Sequence, residues 1–154
     1  AEEQHLELFI QEMGYRLGDM DDNGKKVLWT GWLKQYLTYR YENKPTMLTE
    51  KEKGLFLSWL PELGQLFEEA VNIICKDKMA QHIDALALRR LDKSKLVLQY
   101  PHPMIRLLTK MLNDGTKFDY CGEYLGNIYR ECKGISQEEE KEFQEALLKR
   151  GMSI

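Results

Sequence analysis

An acidic stretch near the N-terminus comes closest to a known chemical motif. Asp19, Asp21 and Asn23 match the first three oxygen ligands of a calcium-binding helix–loop–helix. The position that normally supplies a bidentate glutamate is Thr30, so the motif over residues 19–30 is degenerate and lacks two carboxylate oxygens. A calcium-responsive loop is one hypothesis for this stretch. An acidic turn that simply ends the first helix is the alternative.

The sequence contains no recognised catalytic motif. The three histidines, His5, His82 and His102, are far apart, and none belongs to a pattern such as H-E-x-x-H. The sequence also contains no G-x-S-x-G element and no glycine-rich phosphate loop. We therefore expect no enzymatic activity, no cofactor, no metal centre and no small-molecule substrate.

The cysteines predict a reducing compartment. Their number is odd, they stand at Cys75, Cys121 and Cys132, and no C-x-x-C pair occurs. On one helix, Cys121 and Cys132 would lie roughly 16 Å apart, too far for a disulfide. No apolar run approaches the roughly 20 residues that span a bilayer, so we expect no membrane partner. These features favour a cytoplasmic or nuclear protein.

The segment from Lys25 to Lys44 combines aromatic and basic residues at helical spacing. A helix in this setting buries one face, whereas the aromatic side chains here lie around most of the circumference. Some of them should therefore remain exposed and bind another protein. The predicted contact residues are Trp29, Trp32, Tyr36, Tyr39, Arg40 and Tyr41. The alternative is that Trp29 and Tyr36 are core residues, with Trp32 and Tyr39 half-covered by neighbouring helices.

Basic residues suggest a second hypothesis, the binding of RNA or single-stranded nucleic acid. Within 25–44 five cations stand against one acid, and the stretch 76–110 has a similar excess. Cations beside aromatic rings can contact phosphates and stack bases. The residues predicted for this role are Lys25, Lys26, Lys34, Arg40, Lys44, Arg89 and Arg90.

Charge is distributed unevenly, although the formal net charge is only −3. Seven acids and one arginine fall within the first 24 residues, in contrast to the two basic stretches. Such asymmetry can support association between copies of one chain, so a homodimer is one candidate partner. Solvated helix faces would produce the same pattern.

Hydrophobic periodicity predicts the elements that would position these residues. The residues Leu6, Phe9, Ile10, Met13 and Leu17 follow the spacing of an amphipathic helix. Capping boxes at Thr49–Glu52 and Ser136–Glu139 predict two further helix starts. Met79, Ile83, Leu86 and Leu91 suggest another helix, and residues 95–100 suggest a buried linker or helical turn.

The whole pattern predicts an all-α protein of about seven to eight short helices. The chain length of 154 residues suits a single helical domain over 1–154. Short connections between helices fit either an irregular bundle or a short HEAT-like helical array. We expect this domain to serve as a scaffold or adaptor.

Overall fold

Helices account for nearly all regular structure in the computed structural model. The structure describes residues 2–42, 47–118 and 122–154, with side chains from residue 5 onward. Within these ranges the chain forms no strand, and only an isolated bridge joins His82 to Lys117. The all-α prediction is confirmed. By its internal packing the chain divides into two compact units, Ala1–Asp77 and Lys78–Ile154. A single functional domain over 1–154 stays a prediction.

Within residues 2–42 and 47–77, the first unit contains five α-helices. They are α1 (Glu2–Asp19), α2 (Asp22–Leu28), α3 (Lys34–Glu42), α4 (Glu50–Trp59) and α5 (Phe67–Ile74). A π-helical turn, Trp29–Leu33, joins α2 to α3 without a break, so the three segments form one long helix. Two short 3₁₀ segments, Leu60–Glu62 and Gly64–Leu66, connect α4 to α5.

The core of the first unit forms where α1 packs against α4. Gly14 permits a close approach, because a Cβ at this position would lie 3.2 Å from Cδ1 of Trp59. The Trp59 indole is buried, and its Nε1 donates a hydrogen bond to the Ile10 carbonyl over 2.8 Å. Phe56 packs edge-on against the same indole, with ring centroids 5.1 Å apart. These contacts hold α1 against α4.

The second unit contains α6 (Ala85–Ser94), α7 (Leu96–Gln99), α8 (Pro101–Asp114), α9 (Gly122–Glu131) and α10 (Gln137–Lys149). Its core includes Met104, Leu108 and Phe143, all fully buried. Residues 95–100 contain the short helix α7, as expected for a helical turn. The helix suggested by Met79 and Ile83 begins only at Ala85, because Asp84 caps it by accepting a hydrogen bond from the amide of Leu86.

Both predicted capping boxes are present. The Thr49 hydroxyl accepts from the Glu52 amide, and the Glu52 carboxylate accepts from the Thr49 amide. Ser136 and Glu139 make the same reciprocal pair at the start of α10. Each box satisfies backbone donors that have no partner within the helix, so both helix starts follow from local sequence.

Candidate partner-binding surface

The π-helical turn decides which aromatic side chains of the long helix enter the core. Trp29, its first residue, is 1% exposed, and its Nε1 donates a 2.7 Å hydrogen bond to the Glu69 carboxylate on α5. A π turn inserts an extra residue into the helical repeat and so rotates the residues that follow. Three residues later, Trp32 lies at the surface. Trp29 is thus an internal residue and cannot contact a partner directly.

A cluster of rings occupies the outer side of the long helix. Trp32 is 36% exposed and Tyr39 is 47% exposed. The Trp32 ring lies 5.2 Å from Phe9 of α1 and 6.0 Å from Tyr36, and Phe9 lies 5.7 Å from Tyr36. These centroid distances are those of favourable aromatic pairs. We call Phe9, Trp32, Tyr36 and Tyr39 the aromatic surface.

Tyr36 joins this surface to the core. Its ring touches Phe9 and Trp32 on the outer side and Phe56 on the inner side, 6.3 Å away. Its hydroxyl is buried and has no hydrogen-bond partner among the described residues. Burial raises the pKa of Tyr36, the nearby Arg40 opposes that increase, and Glu52 adds to it. Tyr36 therefore contacts both the surface and the core, and it is half-buried.

Arg40 and Tyr41 need correction as predicted contact residues, because both are buried. The Arg40 guanidinium binds Glu52 through Nε at 3.1 Å and a terminal nitrogen at 2.7 Å. The Tyr41 ring packs 5.7 Å from Phe56, and burial strongly raises the pKa of its hydroxyl. Both side chains lie on the side of α3 that contacts α4. Of the six predicted residues, Trp32 and Tyr39 stay well exposed.

A shallow groove of about 600 Å³ runs along the aromatic surface on its α5 side. Its lining residues are Thr30, Lys34, Gln35, Thr38, Tyr39 and Glu69. The Lys34 ammonium lies 3.4 Å from the Glu69 carboxylate. The hydrogen bond from Trp29 is the main cause that lowers the pKa of Glu69, Lys34 contributes further, and partial burial opposes both. The groove therefore carries one positive and one negative charge side by side.

The cations predicted to bind nucleic acid do not form one basic surface on the long helix. Lys26 is exposed and Lys25 is half-buried, but Lys34 pairs with Glu69 and Arg40 is internal. Lys44 lies outside the described residues. Arg89 and Arg90 are exposed on α6, in the second unit. The binding of nucleic acid by these residues stays a prediction.

The calcium-loop hypothesis is corrected by the helix boundaries. Asp19 is the last residue of α1, and Asn23 already lies within α2. Asp21 is the N-cap of α2, and its Oδ1 accepts a 2.7 Å hydrogen bond from the Gly24 amide. Its side chain thus starts a helix where a calcium loop would continue. In the part of the chain that the structure describes, no three His, Cys, Asp or Glu residues are grouped to hold a metal ion.

The histidines and cysteines lie in separate environments. The Nδ1 atom of His102 is 2.8 Å from the Glu139 carboxylate on α10, and His5 and His82 are exposed. Cys132 is buried beside the Pro101 carbonyl, and burial raises the pKa of its thiol to about 11. Cys75 is half-buried, and Cys121 lies outside the described residues.

Sequence reasoning missed several members of this region. The apolar spacing predicts Phe9 only as part of the stripe of the first helix, and no pattern marks Gln35, Thr38 or Glu69. The periodicity of α1 did mark Phe9 as apolar, but only the packing of α1 beside the long helix brings it to Trp32. Glu69 lies 40 residues beyond Trp29, so no local pattern joins them.

Comparison with protein-family models assigns the chain to a family. No curated protein and no solved structure is significantly similar to the chain. Among the described residues, no helix combines the length and apolar character needed to cross a membrane. The model of one protein family matches residues 1–119, which include the whole aromatic surface and its groove. The chain therefore belongs to the family described as Domain of unknown function (DUF4020).

Proposed function

We propose that this chain is a non-catalytic protein-interaction module, a scaffold or adaptor whose partner docks on the aromatic surface. The observation that carries the proposal is the exposure of Trp32 and Tyr39 on a helix that buries Trp29 and Tyr41. Trp and Tyr are the residues most often found at the energetic centre of protein interfaces. The Trp32 ring packs against Phe9 and Tyr36.

The exposed ring area is large enough to matter for binding. A tryptophan offers roughly 250 Å² and a tyrosine somewhat less, so about 90 to 100 Å² of each ring remains available. At roughly 25 cal/mol per Å², covering both rings contributes about 4 to 5 kcal/mol before the entropic cost of association. Two anchors of this size can define the centre of an interface.

The local charges favour a protein over a nucleic acid. The binding of a phosphate backbone needs several unpaired cations along one groove. Here Lys34 is neutralised by Glu69, and Arg40 is buried against Glu52. The surface that remains is aromatic and close to neutral, which suits an apolar protein patch with a polar rim.

A site-specific crosslinking experiment tests the proposal. The photoreactive amino acid p-benzoylphenylalanine replaces Tyr39, and irradiation in cells of the native source captures whatever lies against it. We expect a discrete crosslinked protein band, which Trp32→Ala in the same chain removes because the docking surface is lost. The thermal midpoint of Trp32→Ala should stay within a few degrees of the wild-type value.

The matched control places the same photoreactive group at Tyr15. This tyrosine is 57% exposed on α1 and does not belong to the aromatic surface. A band that appears equally from both positions would mean non-specific capture. A crosslink to RNA in place of protein would support the nucleic-acid hypothesis instead.

A further inference from the structure

We infer that the partner is a second copy of this chain, docked through antiparallel pairing of the two α3 helices about a two-fold axis beside Gln35. This inference rests on the proposed function and names its partner. It begins from the spacing of the two exposed rings. Trp32 and Tyr39 are both exposed and are seven residues apart, which on an α-helix is close to two full turns, or about 10 Å along the axis.

The spacing makes the surface complementary to itself. In a two-fold interface the same patch is used on both copies, so each residue faces its symmetry counterpart. The midpoint between Trp32 and Tyr39 falls between Gln35 and Tyr36. A two-fold axis at this midpoint places Trp32 of each copy against Tyr39 of the other. Each exposed ring then meets a ring of the other type.

Charges beside the rings are also self-complementary. In such an antiparallel pair, the two-fold axis places the same side of each helix on the same side of the interface. The two copies of the groove therefore lie next to each other. The groove on that flank carries Lys34 next to Glu69, 3.4 Å apart. Two such grooves bring together two cations and two carboxylates, so no net charge accumulates beside the axis. An unpaired Lys34 would instead repel its own copy.

Gln35 occupies the centre of this arrangement. It is exposed, lines the groove and lies half a residue from the proposed axis. Its amide can both donate and accept, so two copies of Gln35 can bond to each other across the axis. The patch is smaller than the roughly 800 Å² per partner of a tight interface. We therefore expect a weak dimer, with a dissociation constant on the order of 10 to 100 µM.

A charge-swap experiment at Gln35 tests the axis directly. Sedimentation equilibrium is measured for the wild-type chain, for Gln35→Lys and for Gln35→Glu, from about 1 µM to about 1 mM protein. Each variant alone places two like charges at the axis, so its dissociation constant should rise about tenfold or more. An equimolar mixture of the two variants should restore association to the wild-type level or beyond. Gln35 is exposed, so circular dichroism should show both variants folded.

Lys141 provides the control for a charge change away from the surface. It is exposed on α10, and Lys141→Glu should leave the dissociation constant unchanged. A wild-type chain that stays monomeric at the highest concentration overturns the inference, as does a dimer that both Gln35 variants leave intact. If the chain is monomeric but Tyr39 still crosslinks specifically to another protein, the proposed function stands and only the second copy is refuted. If there is neither dimer nor crosslink, both fail.

Discussion

The buried ion pair between Arg40 and Glu52 gives the sharpest prediction about the stability of the first unit. The two side chains are 5% and 3% exposed, and two nitrogens of Arg40 bind the same carboxylate oxygen. The other oxygen of Glu52 accepts from the Thr49 amide and completes the capping box. The perturbations are Arg40→Met, Glu52→Gln and the double variant. Met retains the length of the arginine stem, and Gln retains an acceptor for the cap.

The magnitudes follow from desolvation. Each single variant removes one charge of this buried pair and takes that counter-charge away from the other side chain, which costs about 3 to 5 kcal/mol in the free energy of unfolding. The double variant removes both charges and leaves only a neutral amide to satisfy, so we expect a loss of about 1 to 2 kcal/mol. The double variant should therefore be more stable than either single variant. This order is opposite to the one that additive contributions would produce.

Tryptophan fluorescence provides an assay confined to the relevant unit. All three tryptophans, Trp29, Trp32 and Trp59, lie within Ala1–Asp77. Urea titrations that follow their emission thus measure the unfolding of this unit without contribution from the second.

The control for this titration is Arg16→Met, which breaks the exposed pair with Glu12 on α1, and it should cost less than about 1 kcal/mol. The reasoning is refuted if both single variants at the buried pair cost as little as this control. It is also refuted if the double variant loses the sum of the two single losses.

Two further predictions concern packing and thiol reactivity. Gly14→Val should destabilise the first unit by about 1 to 3 kcal/mol, because its side chain meets the buried, hydrogen-bonded Trp59 indole. Gly54→Ala has open space around it and should gain about 0.5 to 1 kcal/mol in the same urea titration. A loss at Gly54 equal to that at Gly14 would contradict this explanation. Cys132, with its pKa raised to about 11, should react with iodoacetamide much more slowly than Cys75 at pH 8, as peptide mass mapping can measure. Because the folded state holds this proton more tightly, the Cys132 contribution to stability should be complete below about pH 9 and fall as the pH rises toward 11. Equal alkylation rates in the folded protein would argue against a buried thiol.

Much of the fold could be predicted from sequence because its signals are local. The capping boxes at Thr49 and Ser136 join residues three positions apart, and both helices begin where these boxes place them. The stripe of α1 likewise depends on contacts within one or two helical turns. Two helix starts differ from the prediction because an aspartate N-cap, which is also a local interaction, determines where the helix begins. Asp84 starts α6 later than the apolar spacing suggested, and Asp21 starts a helix within the supposed calcium loop.

Sequence alone determined that this chain is all-α and that the segment from Lys25 to Lys44 carries more aromatic side chains than one buried helix face can hold. Tertiary structure alone decided which of them remain outside. The π turn buries Trp29 against Glu69 and turns Trp32 toward Phe9, and the phase of α3 sends Tyr41 inward while Tyr39 stays exposed. Helix formation depends on residues three or four positions apart, whereas the burial of a particular ring depends on partners tens of residues away that only the folded chain brings near.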